Sequence, residues 1–122
     1  MNVQTLLAKM ASQREAWVDL PGGQRLQYRR PPEVELPRMA AGITADLVVE
    51  YACGWDKFTE ADLLGPGVGS SDPVPFNTDL WAAYVRDKTT VLQVVAAAMA
   101  KTVTDFLLAR QAEAKNSAPS SS

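Results

Sequence analysis

The sequence predicts an α+β domain, mostly helical, with one N-terminal β-hairpin packed on helices. Three observations lead there. Residues 15–30 alternate apolar and polar around a Pro-Gly-Gly turn. The second half carries apolar residues at spacings of three and four. The chain has 122 residues, the size of one domain with one modest core. Residues 1–113 are expected to form that domain and 114–122 a disordered Ser-rich tail.

Leu6, Leu7 and Met10 support a short amphipathic helix at the start. In the hairpin, Ala16, Val18 and Leu20 alternate with Glu15, Trp17 and Asp19, and Leu26 and Tyr28 alternate with Arg25, Gln27 and Arg29. Leu20-Pro21-Gly22-Gly23-Gln24 makes the turn, because Pro presets φ and Gly accepts positive φ. A lone hairpin is marginal in water, so its apolar face must rest on helices. Pro31-Pro32 ends the second strand. A short helix follows at residues 33–39, bent or stopped by Pro37.

Leu47, Tyr51 and Trp55 recur at i+4 and predict a helix over 44–54, with Gly54 at its C′ position. Thr59 and Asp62 read as the cap of a single turn. Residues 65–75 concentrate Gly, Ser and Pro and predict a mobile loop. Asn77 caps a helix over 78–87 that carries Leu80, Trp81, Tyr84 and Val85. The last helix, 90–112, buries one face made of Val91, Val95, Ala98, Met99, Val103, Phe106 and Leu107.

Composition narrows the chemistry. There is no histidine and one cysteine, Cys53. That removes His-dependent catalysis, a Cys/His zinc site and an intrachain disulfide. The net charge of -2 offers no positive field for nucleic acid or anionic lipid. The apolar run Val94 to Ala100 is too short to span a bilayer, and a cytoplasmic location is expected. The segment 65–71 contains glycines but lacks the Lys of a phosphate loop. Asp56, Glu60 and Asp62 lack the order of a calcium loop and read as solvated capping acids. Arg25, Arg29 and Arg30 form a short basic cluster that suits a solvated face or an acidic protein partner better than nucleic acid. Cys53 reads as a buried, inert thiol. No catalytic, cofactor or metal residues are expected. Trp55, Phe58, Phe76 and Trp81 are the candidate partner-binding residues, since aromatics serve both cores and interface anchors.

One layout goes further. Tyr28-Arg29-Arg30-Pro31 closes the hairpin, Gly54-Trp55-Asp56 follows a helix, and an acidic Gly-containing stretch leads to Val74-Pro75-Phe76-Asn77 and more helices. Across residues 15–108 this resembles the tail assembly chaperones of long-tailed bacteriophages and prophages, in which a Gly-Trp pair and a PxPF segment recur. The resemblance implies a non-enzymatic protein in the cytoplasm of the bacterial host. It implies binding to the tape measure protein in several copies, with the tail tube protein or the chain itself as further partners, and no membrane. A structural or connector protein of a phage tail is the alternative, and a small nucleic-acid-binding regulator the second. The surface implied is Trp55, Phe58 and Phe76 around the loop, or the exposed part of the Val91 to Leu107 stripe.

Overall fold

A computed structural model describes residues 2–117. The fold is α+β, as expected. Helix α1 (Val3–Ser12) leads into strands β1 (Glu15–Asp19) and β2 (Arg25–Arg29). A 3-10 helix (Glu33–Met39) and α2 (Ala45–Tyr51) follow, then strand β3 (Ala52–Asp56), α3 (Glu60–Leu64), α4 (Thr78–Arg86) and α5 (Thr89–Ser117). The sheet is antiparallel in the order β1-β2-β3.

The hairpin forms where the alternation placed it. Ala16 faces Tyr28 and Val18 faces Leu26 across the strand pair. Gly23 takes φ 91°, a conformation costly for any other residue, and lets Leu20 N–H donate to Gln24 O at 2.8 Å. Leu20, Leu26 and Tyr28 are buried on the inner face. Trp17 is exposed on the outer one.

The helix expected over 44–54 is corrected. It starts at the Thr44 cap, whose hydroxyl accepts from Leu47 N–H at 3.3 Å, but it ends at Tyr51. Residues 52–56 instead form β3, with Leu26 opposite Trp55 and Gln27 opposite Gly54, and a register shift before Ala52 meets Tyr28. Spacing of i+4 fits a helix equally well, but β2 has a free edge whose backbone groups require partners. Pairing there also sets Trp55 against the core. Gly54 is therefore no helix cap. A Cβ on it would lie 2.8 Å from Gln27 Oε1, so the glycine admits the Gln27 side chain, which reaches across to Glu15 at 2.9 Å.

The core lies between the inner face of the sheet and α2, α4 and α5. Leu26, Val48, Phe58, Trp81, Val85, Val95 and Met99 are essentially inaccessible. Each such side chain stabilises the fold by about 1.5–3 kcal/mol through burial. Val91, Val95 and Met99 repeat at i+4 and are the part of α5 that faces this core. The Tyr28 hydroxyl locks sheet to helix: it donates to Ala98 O at 3.2 Å and pairs with Thr102 Oγ1 at 2.6 Å. Asn77 caps α4 as expected, accepting from Leu80 N–H at 3.0 Å. Helix α5 runs to Ser117, beyond the expected end at 112, so residues 114–117 of the expected tail are helical. Ala, Glu, Lys and Gln in 111–115 are good helix formers and sustain it. The rest of the expected tail, 118–122, lies outside the described residues.

Replacing Tyr28 with Phe removes one hydroxyl that joins β2 to α5 and leaves Thr102 without that partner. The expected loss is about 1 kcal/mol, read as a lower urea midpoint at unchanged slope.

Candidate functional site

The two short motifs of the sequence meet in space. Lys57 turns the chain sharply after β3 with φ 66°, a rare conformation outside glycine. That turn folds Phe58 back under Trp55, and the rings stack at 4.2 Å with 22° between planes. Phe76 abuts Trp55 edge-on at 5.3 Å. The Trp55 indole N–H donates to Val74 O at 2.7 Å, and Val74 N–H donates to Phe58 O at 2.9 Å. Gly54-Trp55 and Val74-Pro75-Phe76 thus form one clasp over an open cleft of about 350 Å³. Inward, Phe58 meets Tyr84 at 5.4 Å and Trp81 at 6.4 Å, both edge-on.

This geometry divides the four candidate anchors. Phe58 is 1% exposed and Trp81 0%, so both belong to the core and present nothing to a partner. Each fills the interior from a neighbouring element, and aromatic side chains of this size are buried wherever the fold allows. Trp55 and Phe76 are half-buried and reach the surface at the cleft.

The loop expected to be mobile is stitched to α3. Glu60 N–H donates to Asp72 O at 3.1 Å and Ala61 N–H to Ser70 O at 2.9 Å. Gly69 passes so close that an added Cβ would lie 2.5 Å from the Glu60 carbonyl. Thr59 and Asp62 form a complete capping box. Asp62 also accepts from Gln24 Nε2 at 2.7 Å, which ties the hairpin turn to the same corner. Asp62 accepts from Thr59 N–H at 2.8 Å and Glu60 from Ser70 N–H at 3.4 Å. Among the described residues no three of His, Cys, Asp and Glu converge as metal ligands would.

The basic cluster is occupied within the chain. Arg25 lies over the Trp17 ring at 4.7 Å and pairs with Asp19 at 3.2 Å. Arg29 pairs with Glu15 at 3.2 Å. Arg30 sits over Phe106 at 3.8 Å and donates to Pro31 O at 2.7 Å. Burial and the nearby Arg14 lower the pKa of Arg30. Burial raises the pKa of the Cys53 thiol above its ordinary value. Beside it, burial first and then the hydrogen bond to Glu35 push the Tyr51 phenol up to about 12. The Glu50 carboxyl is lowered by its hydrogen bond from Arg38.

The larger surface feature is helical. Helix α5 was expected to bury one face, including Leu107. Its inner face is buried, but Leu107 and Leu108 are exposed, together with Ala97, Ala100 and Thr104 on the outward side. Met39, Gly42 and Ile43 flank that side and complete an apolar groove of about 410 Å³ with Val103. Helix α5 is long and apolar enough to cross a membrane by length and composition, with mean hydropathy 1.5 over an 18-residue window of which 17% is buried. The apolar run Val94 to Ala100 pointed the other way, because Gln93 and Lys101 bound the run without breaking the helix. Yet Val91, Val95 and Met99 of this helix belong to the core shared with Trp81 and the sheet. Helix α1 is the second such feature: none of its residues is buried, and Val3, Leu6, Leu7 and Met10 are exposed.

Replacing Gly69 with Ala forces the loop away from α3 and is expected to cost about 1–3 kcal/mol in chemical denaturation. The Tyr51 shift carries a pH dependence. The folded state favours the neutral phenol, so its contribution is complete below pH 10 and is lost as pH rises toward 12. Absorbance titration near 295 nm is expected to show a late-ionising tyrosine that Tyr51→Phe removes.

Comparison with protein-family models, with curated proteins and with solved structures finds no match to this chain.

Proposed function

We propose that this chain is a non-catalytic binding protein whose groove along α5 receives a helix of another protein. The observation that carries the reading is the outward face of α5. A helix that is apolar on both sides is buried in a large protein, embedded in lipid or covered by a partner. Here one side holds the domain together and the other is left in solvent. Grooves of this kind receive amphipathic helices whose apolar residues repeat at three and four.

The specific assignment is a tail assembly chaperone that binds a phage tape measure protein in the host cytoplasm. The resemblance of Gly54-Trp55 and Val74-Pro75-Phe76 to the family's motifs supports it. So does their convergence into one clasp, which gives two short motifs a joint structural purpose. A tape measure protein is a long helical chain prone to aggregate. Many copies of a small domain with a modest helix-binding groove suit it, because avidity multiplies weak contacts along one extended partner. In this reading Trp55 and Phe76 shape the domain, and the groove of Met39, Ile43, Ala100, Val103 and Thr104 holds the partner, with exposed Leu107 one turn further along the same face of α5.

Co-expression tests this directly. The large helix-rich protein encoded just downstream is expected to stay soluble and to co-purify with the chain. Ala100→Glu with Leu107→Glu, on the outward face, is expected to abolish both effects at an unchanged thermal midpoint. A downstream protein that precipitates regardless, or a variant that works as well as the parent, contradicts the proposal. Mass spectrometry of purified virions is expected to miss the chain. Its recovery in stoichiometric amount points instead to a structural component of the tail.

A further inference from the structure

We propose that the α5 groove of one copy is occupied by helix α1 of a second copy, so that the free protein is a reciprocal dimer. A partner helix then enters by displacing α1. The inference rests on the reading of the α5 groove as a site for helices and adds its occupant in the resting state.

Helix α1 needs a cover. It has ten residues and is capped by Asn2, whose Oδ1 accepts from Thr5 N–H at 2.7 Å. Isolated helices shorter than about 12–15 residues are marginal in water. This one buries none of its residues, while Val3, Leu6, Leu7 and Met10 make one apolar stripe at i, i+3, i+4 and i+7 with exposures of 68%, 46%, 54% and 61%. A helix so short and so apolar on one side is stabilised by packing against something.

The groove fits it in chemistry and length. Its lining, which includes Met39, Ile43, Val103 and Thr104, contains no charged residue. Lys9 is the one charge on α1, and at about 100° per residue it lies well to the side of the stripe, so docking buries no charge. The stripe from Val3 to Met10 rises about 10 Å, and the groove follows α5 from Ala96 to Thr104, about 12 Å.

The geometry sends α1 to another copy. Only Gln13 and Arg14 separate α1 from β1. Arg14 is pinned to the end of β2, for its carbonyl accepts from Arg30 N–H at 2.8 Å and its guanidinium donates to Arg30 O at 3.1 Å. Arg30 in turn stacks on Phe106 of α5. The sheet contacts α5 through Thr102, whereas Ala100, Thr104 and Leu107 lie roughly 140–160° around the helix axis from it. Two residues extend about 7 Å, less than the 10–12 Å diameter of a helix, so the tether does not carry α1 around α5 to its own groove. A twofold pairing satisfies both helices and both grooves at once.

The exposed area agrees. The chain exposes 7960 Å². A compact monomer of 13.2 kDa exposes about 6,400 Å². Setting aside about 800 Å² for the residues outside the described range still leaves a surplus of about 760 Å². One partner in a standard interface contributes about 800 Å².

Sedimentation equilibrium of the full chain is the test, with Leu7→Glu/Met10→Glu as the variant. The parent is expected to be a dimer at tens of micromolar. The variant is expected to be a monomer with an unchanged core, read from its near-ultraviolet circular dichroism. In a Cys53→Ser background, a mixture of Leu7→Cys chains and Ala100→Cys chains carrying different tags is expected to join through a short bismaleimide across the two tags. A parent that is monomeric throughout, a dimer indifferent to the α1 charges, or crosslinking only between Leu7→Cys chains overturns the proposal. So does a monomeric parent that floats with phosphatidylcholine–phosphatidylglycerol vesicles through α1, since lipid is then the cover. A dimer that forms while co-expression fails removes the tape measure assignment alone. Successful co-expression by a monomer removes the dimer alone.

Discussion

The stack of Trp55 on Phe58 is the contact on which the rest of the domain turns. It joins a strand, a sharp turn and a helix in one place, because Phe58 also touches Tyr84 and Trp81 while the Trp55 indole holds Val74. Each aromatic pair of this kind contributes about 0.5–1.5 kcal/mol beyond the area it buries. Several elements here are too short to stand alone. The strands have five residues each and α3 has five. Such pieces persist only when a shared core rewards all of them together. The clasp also fixes the long segment between α3 and α4, whose backbone groups find partners on Glu60, Ala61 and Phe58.

That arrangement leaves an imbalance in α5. The sheet, α2 and α4 together need one face of it, and Val91, Val95 and Met99 supply that face. Beyond Met99 the helix runs on past the edge of the core, tied by the stacking of Arg30 on Phe106 and by Arg110 bridging to Glu33 at 2.8 Å. These polar contacts hold the helix on its flank and leave Ala100, Thr104 and Leu107 outward. A surface ion pair contributes little to stability, so its better-supported role is to set the angle of the helix. Function on this account comes from a mismatch between the length of the apolar helix and the size of the core it serves.

The hairpin was legible because alternation and a Pro-Gly-Gly turn act locally. The caps at Thr59 and Asn77 were legible for the same reason, since each acts within three residues. Strand β3 was not legible. Leu47, Tyr51 and Trp55 satisfy a helical period, and only the free edge of β2, distant in sequence, decides against it. The division of the aromatic quartet was hidden too: nothing local distinguishes Phe58 from Phe76, and their burial follows from the Lys57 turn. For α5, spacing revealed an inner face but not how little of the helix the core would cover. A count of available core elements against its apolar positions carried that signal, as did the apolar stripe of α1, which had no evident place to dock.

The central claim is that the outward face of α5 is a helix-binding surface. Hydrogen exchange of the chain, alone and in complex with the helix-rich protein encoded beside it, addresses that claim most directly. The account predicts slowed exchange around Gly42 and Ile43 and through residues 97–108 of α5 in the complex, with little change at the Trp55–Phe76 clasp. Slowing confined to the clasp, or a complex that leaves α5 unchanged, contradicts it.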